Sequence, residues 1–123
     1  MYPEFMDDLF EDRLKTRRDV MYKVLDKDDR ENQGLYKVCQ TYYVDKRGMG
    51  VILKHKVEQG DIFLVDVFIE EENELIKACC EAASCEGKDD GTCRIRLDFI
   101  IIKDSYRQYW EEFLSRKLEA EVV

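Results

Sequence analysis

Whether EENELIKACCEAASCEG, residues 71–87, is a helix or a strand determines the architecture of this chain. Glu71 to Ala83 are mostly good helix formers, and Leu75, Cys79 and Ala82 fall at helical spacing. The alternative is a strand that turns through GKDDG into TCRIRLDFIIIKD. We read a helix here and keep the strand as the second reading.

On either side the pattern is clearer. Downstream, Ile95, Leu97, Phe99 and Ile101 alternate with Arg94, Arg96 and Asp98, which is a half-buried strand. After it, DSYRQYWEEFLSRKLEAE carries Tyr106, Tyr109, Trp110, Phe113, Leu114 and Leu118 on one face, with Asp104 or Ser105 as a cap. Upstream, LYKVCQTYYVD, VILKHKVEQ and DIFLVDVFIE have period two and are parted by KRGMG and Gly60. In the last of these runs both faces are apolar except at Asp66, so a central position in a sheet is expected. Pro3 to about Asp26 reads as a helix built on Phe5, Met6, Leu9, Phe10, Leu14, Met21, Val24 and Leu25. Its apolar face breaks at LKTRR, and the polar DKDDRENQG that follows reads as a loop. The expectation is a single α+β domain over residues 1–123. It has an antiparallel β-meander of four to five strands flanked by N- and C-terminal helices.

The bulk properties bound the function. Apolar residues make up 45%, enough for a core without disulfides. Apolar runs such as Ile62–Val65 are too short to span a membrane. The acidic N-terminus does not resemble a secretory signal, so a cytoplasmic protein is expected. The net charge of −8 lies wholly in the second half: residues 1–60 hold 12 acidic and 12 basic residues, and residues 61–123 hold 16 and 8. Acidity disfavours direct nucleic-acid binding and favours a partner with a basic surface.

Chemistry is sparse. Four of five cysteines lie between Cys79 and Cys93, but Cys80-x4-Cys85-x7-Cys93 does not match zinc spacing, and no CxxC occurs. Cys85 and Cys93 would flank a hairpin in the strand reading, yet a reducing compartment argues for thiols that act as small apolar side chains. No metal or cofactor is expected. The motifs of phosphate-binding loops, zinc proteases and serine hydrolases are absent. His55 alternates with Val51, Leu53 and Val57, as a satisfied, partly buried histidine would. Asp66 and Asp98 interrupt apolar strands; with Arg96 they would make an acid/base or anion-binding cavity if their strands were neighbours. The run DKRGMGVILKHK is a basic hairpin carrying Lys46, Arg47, Lys54 and Lys56.

Recognition is better served by Glu70, Glu71, Glu72 and Glu74, with Glu111 and Glu112 beside the aromatics Tyr106 and Trp110. Aromatic anchors ringed by charge suit a protein interface. The leading expectation is thus a non-enzymatic acidic module that occupies a basic, nucleic-acid-handling partner surface. Phage-encoded inhibitors of host nucleic-acid machinery are of this kind. Element order and acidity are also similar to class I type III secretion chaperones. That resemblance implies a two-fold homodimer with an extended client. A small-ligand binder or enzyme built on Asp66, Asp98 and Arg96 is the third expectation.

Overall fold

Residues 71–87 are a strand. The computed structural model describes residues 13–25 and 36–122. They form β1 (Asp19–Leu25), β2 (Lys37–Asp45), β3 (Gly48–Leu53), β4 (Ile62–Ile69), a 3-10 turn (Glu70–Glu72), β5 (Glu74–Gly87), β6 (Cys93–Ile102) and helix α1 (Asp104–Val122). The strands close into an antiparallel barrel in the order β1-β2-β3-β6-β5-β4.

Closure explains why β5 is extended despite its helix-forming residues. Ile76, Cys80 and Ala82 are buried at even spacing. Their strand pairs with β4 along one side, from Ile62↔Glu81 to Ile69↔Glu74, and with β6 along the other, from Ala78↔Ile102 to Gly87↔Cys93. Two full ladders and a shared core outweigh a propensity difference of a few tenths of a kcal/mol per residue. Closure also gives each of the six described strands two neighbours.

This overturns the α+β meander expected from sequence. The 14-residue β5 replaces the central helix. Of the expected N-terminal helix, residues 3–12 and 26 lie outside the described residues. In its remainder, Asp19–Leu25 form β1, with Val20 and Tyr22 turned into the barrel. The apolar residues of DVMYKVL satisfy a two-residue period as well as a helical one, and pairing with β2 and β4 selects the strand. The third apolar run, β4, is not central to an open sheet. Phe63, Val65, Val67 and Ile69 point inward, and Asp66 points out toward Lys77.

The interior is filled by side chains from all six strands, including Phe63, Met49, Leu53, Ile76 and Ile95. Helix α1 lies across the end of the barrel where β2 turns into β3. Trp110, Phe113 and Leu114 are buried there, and the Trp110 ring meets Phe99 edge-on at 5.2 Å. The indole Nε1–H donates to the Asp45 carbonyl at 2.8 Å, so the buried polar atom is satisfied. No helix among the described residues is long and apolar enough to cross a membrane.

Candidate ligand-binding groove

The segment before β1 runs as a strap along β2. Leu14 and Val44 exchange both backbone hydrogen bonds, at 2.8 and 2.9 Å. Thr41 then holds the other end of the strap. Its N–H donates to the Arg18 carbonyl at 3.0 Å, its hydroxyl donates to the Thr16 carbonyl at 2.7 Å and accepts from Arg18 N–H at 2.9 Å. LKTRR, which interrupts the apolar pattern in the sequence, is therefore part of a strap that sets Arg13 and Arg17 beside the outer face of β2.

That face is shaped by a β-bulge. The β2–β3 register shifts between Thr41 and Tyr43, so Tyr42 and Tyr43 both turn outward, their rings edge-on at 4.8 Å. Opposite Tyr43 stands Gly50. A Cβ on Gly50 would collide with the Tyr43 ring, so only glycine lets the ring lie on β3. The Arg13 guanidinium covers the ring at 3.9 Å, and Arg94 stands over Tyr42 at 5.4 Å. Burial, reinforced by Tyr43, raises the Tyr42 phenol above its usual range.

Beside the tyrosines, a groove of about 700 Å³ opens between the start of β2 and the end of β3. Arg17, Lys37, Gln40, Tyr42, Ile52, Lys54 and His55 line it. Arg13, Arg17, Lys37, Lys54 and Arg94 form no ion pair among the described residues. Tyr22 stays protonated, its pKa pushed up to about 12 by burial and then by Cys39. It meets His55 Nε2 at 2.8 Å. His55 Nδ1 lies 3.3 Å from the Lys56 carbonyl, which only accepts, so in the neutral ring Nδ1 donates and Nε2 receives the Tyr22 hydroxyl.

Below this face, Asp45 and Arg96 make a structural hub. Arg96 Nη2 donates to Asp45 Oδ1 at 2.9 Å, and Nη1 donates to Oδ2. Nε reaches Asp98 at 2.7 Å and Nη1 the Tyr43 hydroxyl at 3.3 Å. Asp45 Oδ1 also accepts from the backbone N–H of Arg47 and Gly48, at 3.0 and 3.1 Å. Burial works against the Arg96 charge, but these bonds hold its pKa above the ordinary arginine value.

Other residues singled out from sequence are placed elsewhere. Asp66 and Asp98 do not meet: β5 separates their strands, Asp66 lying 3.9 Å from Lys77 and Asp98 on Arg96. Glu71 pairs with Arg18 and lies 3.9 Å from Lys117. Glu72 pairs with Arg116, whose Nη2 is 3.6 Å from Glu112. Glu70, Glu74 and Glu111 form no ion pair among the described residues. Trp110 is fully buried and Tyr106 half-buried. Cys39 and Cys80 are core residues; burial pushes the Cys39 thiol up to about 12 and Cys80 higher. Such thiols are poor nucleophiles at neutral pH. Cys85 and Cys93 flank the β5–β6 hairpin as free thiols. Among the described residues no three His, Cys, Asp or Glu side chains are placed to hold a metal.

No protein-family model matches the sequence, and no curated protein matches it. Solved structures do. The barrel is similar to PilZ domains. The PilZ domain of Escherichia coli YcgR, solved with c-di-GMP, superimposes with a TM-score of 0.66 at 15% identity, over 89% of this chain and 90% of that one. The Bacillus subtilis inhibitor of motility MotI/DgrA gives 0.70 at 14% identity over 86% of this chain. The chain spans about half of that protein, 49%. The PilZ domain of CeSA from a cellulose-synthesising bacterium gives 0.53 at 10% identity, over 90% and 98%. These similarities establish the six-stranded barrel as a PilZ-like fold in place of the expected helix-flanked meander. They give no specific support to a phage-type inhibitor.

Proposed function

We propose that this chain is a non-enzymatic regulatory binding module whose outer β2–β3 face takes a cyclic dinucleotide of the c-di-GMP kind. The observation that carries the reading is the cluster of cations and aromatics on one face of a chain with net charge −8. Arg17, Lys37 and Lys54 surround the groove with Tyr42 and His55, and Arg13 lies beside them on Tyr43. Two phosphates need closely spaced guanidinium and ammonium groups, and such charge-assisted bonds are the strong ones. Planar bases need flat partners, which Tyr42, Tyr43 and their stacked arginines offer. A guanine edge presents the O6 and N7 acceptors that an arginine fork matches. Similarity to a barrel solved with c-di-GMP supports the same assignment. Calorimetric titration with c-di-GMP, and with ATP as a control, tests it. Saturable c-di-GMP binding that weakens with salt, and that falls roughly ten- to a hundredfold in Arg13→Ala or in Arg17→Ala, is expected. No heat, or equal binding of ATP, would count against it.

A protein partner is the second half of the reading. The similarity to an inhibitor of motility supports it. So do Glu70, Glu74 and Glu111, acidic side chains on the helix α1 side of the barrel that form no ion pair among the described residues. Reversing Glu70, Glu74 and Glu111 to Lys is expected to abolish capture of a basic partner without altering nucleotide binding.

A further inference from the structure

Tyr43 stands apart from the groove residues because its ring is held on all sides by this chain. Gly50 supplies the floor on which the ring lies. Arg96 holds the hydroxyl at 3.3 Å. The Arg13 guanidinium covers the remaining face at 3.9 Å. Floor and hydroxyl belong to the barrel, but Arg13 does not: it sits at the start of the strap, and its Nε is buried without a hydrogen-bond partner. A guanidinium that stacks well while one N–H stays unsatisfied has better partners to find. It is planar, delocalised and about the thickness of a nucleobase, so the face that accepts it also accepts a base.

We propose that Tyr43 is the stacking platform for one base of the ligand, and that Arg13 holds the base's place until the ligand arrives. On binding, Arg13 leaves the ring and turns its unsatisfied Nε–H to the ligand's phosphate, and the base settles on Tyr43 beside Tyr42. The inference rests on the cyclic-dinucleotide reading above and adds to it a base-binding residue, Tyr43, that is not among those lining the groove. The bulge between Thr41 and Tyr43 is what makes it work. Without the extra residue, Tyr43 would point into the barrel and the ring would be core.

Nuclear magnetic resonance of c-di-GMP with the full chain tests this. A base stacked on a tyrosine has its H8 proton moved upfield by the ring current and shows cross-relaxation with the Tyr43 ring protons. The phosphorus signals report contact with the arginines independently. The wild-type chain is expected to give all three effects. Tyr43→Phe keeps the platform and is expected to retain the H8 shift. Tyr43→Leu, checked for folding by circular dichroism, is expected to lose that shift and to bind roughly five- to a hundredfold more weakly, the range of one base–aromatic stack. Phosphorus shifts without H8 shift or cross-relaxation in the wild-type chain would overturn the platform and leave the binding reading standing. So would an unchanged H8 shift in Tyr43→Leu. No shift in either nucleus would overturn both.

Discussion

Arg17 and Arg18 are neighbours in sequence that turn to opposite sides of one strap. Arg17 lines the groove over β2. Arg18 turns toward helix α1, pairs with Glu71 and stands over the Phe113 ring at 4.9 Å. Thr41 fixes the backbone between them.

The Arg18–Glu71 pair gives the protein an acid-sensitive anchor. Burial pushes the Glu71 carboxyl up, but the Arg18 hydrogen bond and charge, with Lys117, outweigh it and hold its pKa below the ordinary range. A carboxyl with a depressed folded-state pKa stabilises the fold fully above its unfolded pKa of about 4.3, and the benefit disappears as pH falls through the lower folded value. Glu71→Gln is expected to cost up to about 1 kcal/mol near neutral pH, given the partial exposure of the pair. It should cost almost nothing once the pH is below both values. Urea unfolding at the two pH values measures the difference; an equal cost at both would refute the anchor.

Removing Arg96 leaves the Asp45 carboxylate buried beside two backbone N–H donors and no cation. Arg96→Met is expected to cost about 3–5 kcal/mol, the usual penalty for orphaning one side of a buried pair. Adding Asp45→Asn in the same chain should recover part of the loss. Chemical denaturation of the two variants decides it; a larger loss in the double variant would contradict the hub.

At Gly50 a single methyl group is expected to matter. Gly50→Ala drives a Cβ into the Tyr43 ring, and we expect about 1–3 kcal/mol of destabilisation, as for other over-packed sites. In a Tyr43→Ala background the same substitution should be nearly neutral. A double-mutant cycle that comes out additive would show that ring and glycine do not depend on each other.

For the ligand, Arg17→Ala is expected to weaken binding roughly ten- to a hundredfold, the worth of one charge-assisted hydrogen bond. The dependence of affinity on salt should become shallower at the same time. Lys103→Ala, at the opposite end of the barrel before helix α1, is expected to leave both unchanged.

Much of the barrel was legible as period-two alternation. Residues 37–45, 62–69 and 93–102 and helix α1 stand where the pattern placed them. What sequence could not supply was closure. The small residues Ala78, Cys79, Cys80, Ala82 and Ala83 suit a helix locally, and only pairing on both sides makes them strand. In Asp19–Leu25 both periods fit, so the residues themselves do not choose. The groove was hidden for another reason. Its cations come from LKTRR, which looks like a break in a helix, and from the run through Lys54 and His55, which looks like a minor basic hairpin. The two are joined only when the strap pairs with β2. A chain-wide charge of −8 argued against phosphate as a partner. A two-phosphate ligand responds to the local field, and locally the face is cationic. A signal was available in TYYVDKRGMG, where two tyrosines precede a glycine that can face them across a turn.

The most direct test of the ligand site is a map of backbone amide shifts in the ¹⁵N-labelled chain on titration with c-di-GMP. The account expects changes concentrated in the strap from Arg13 to Arg18, in β2 from Val38 to Asp45, and around Ile52 to His55, with Gln108 to Arg116 largely unmoved. No change at saturating ligand, or changes confined to Glu70–Glu74 and Glu111–Glu112, would contradict it.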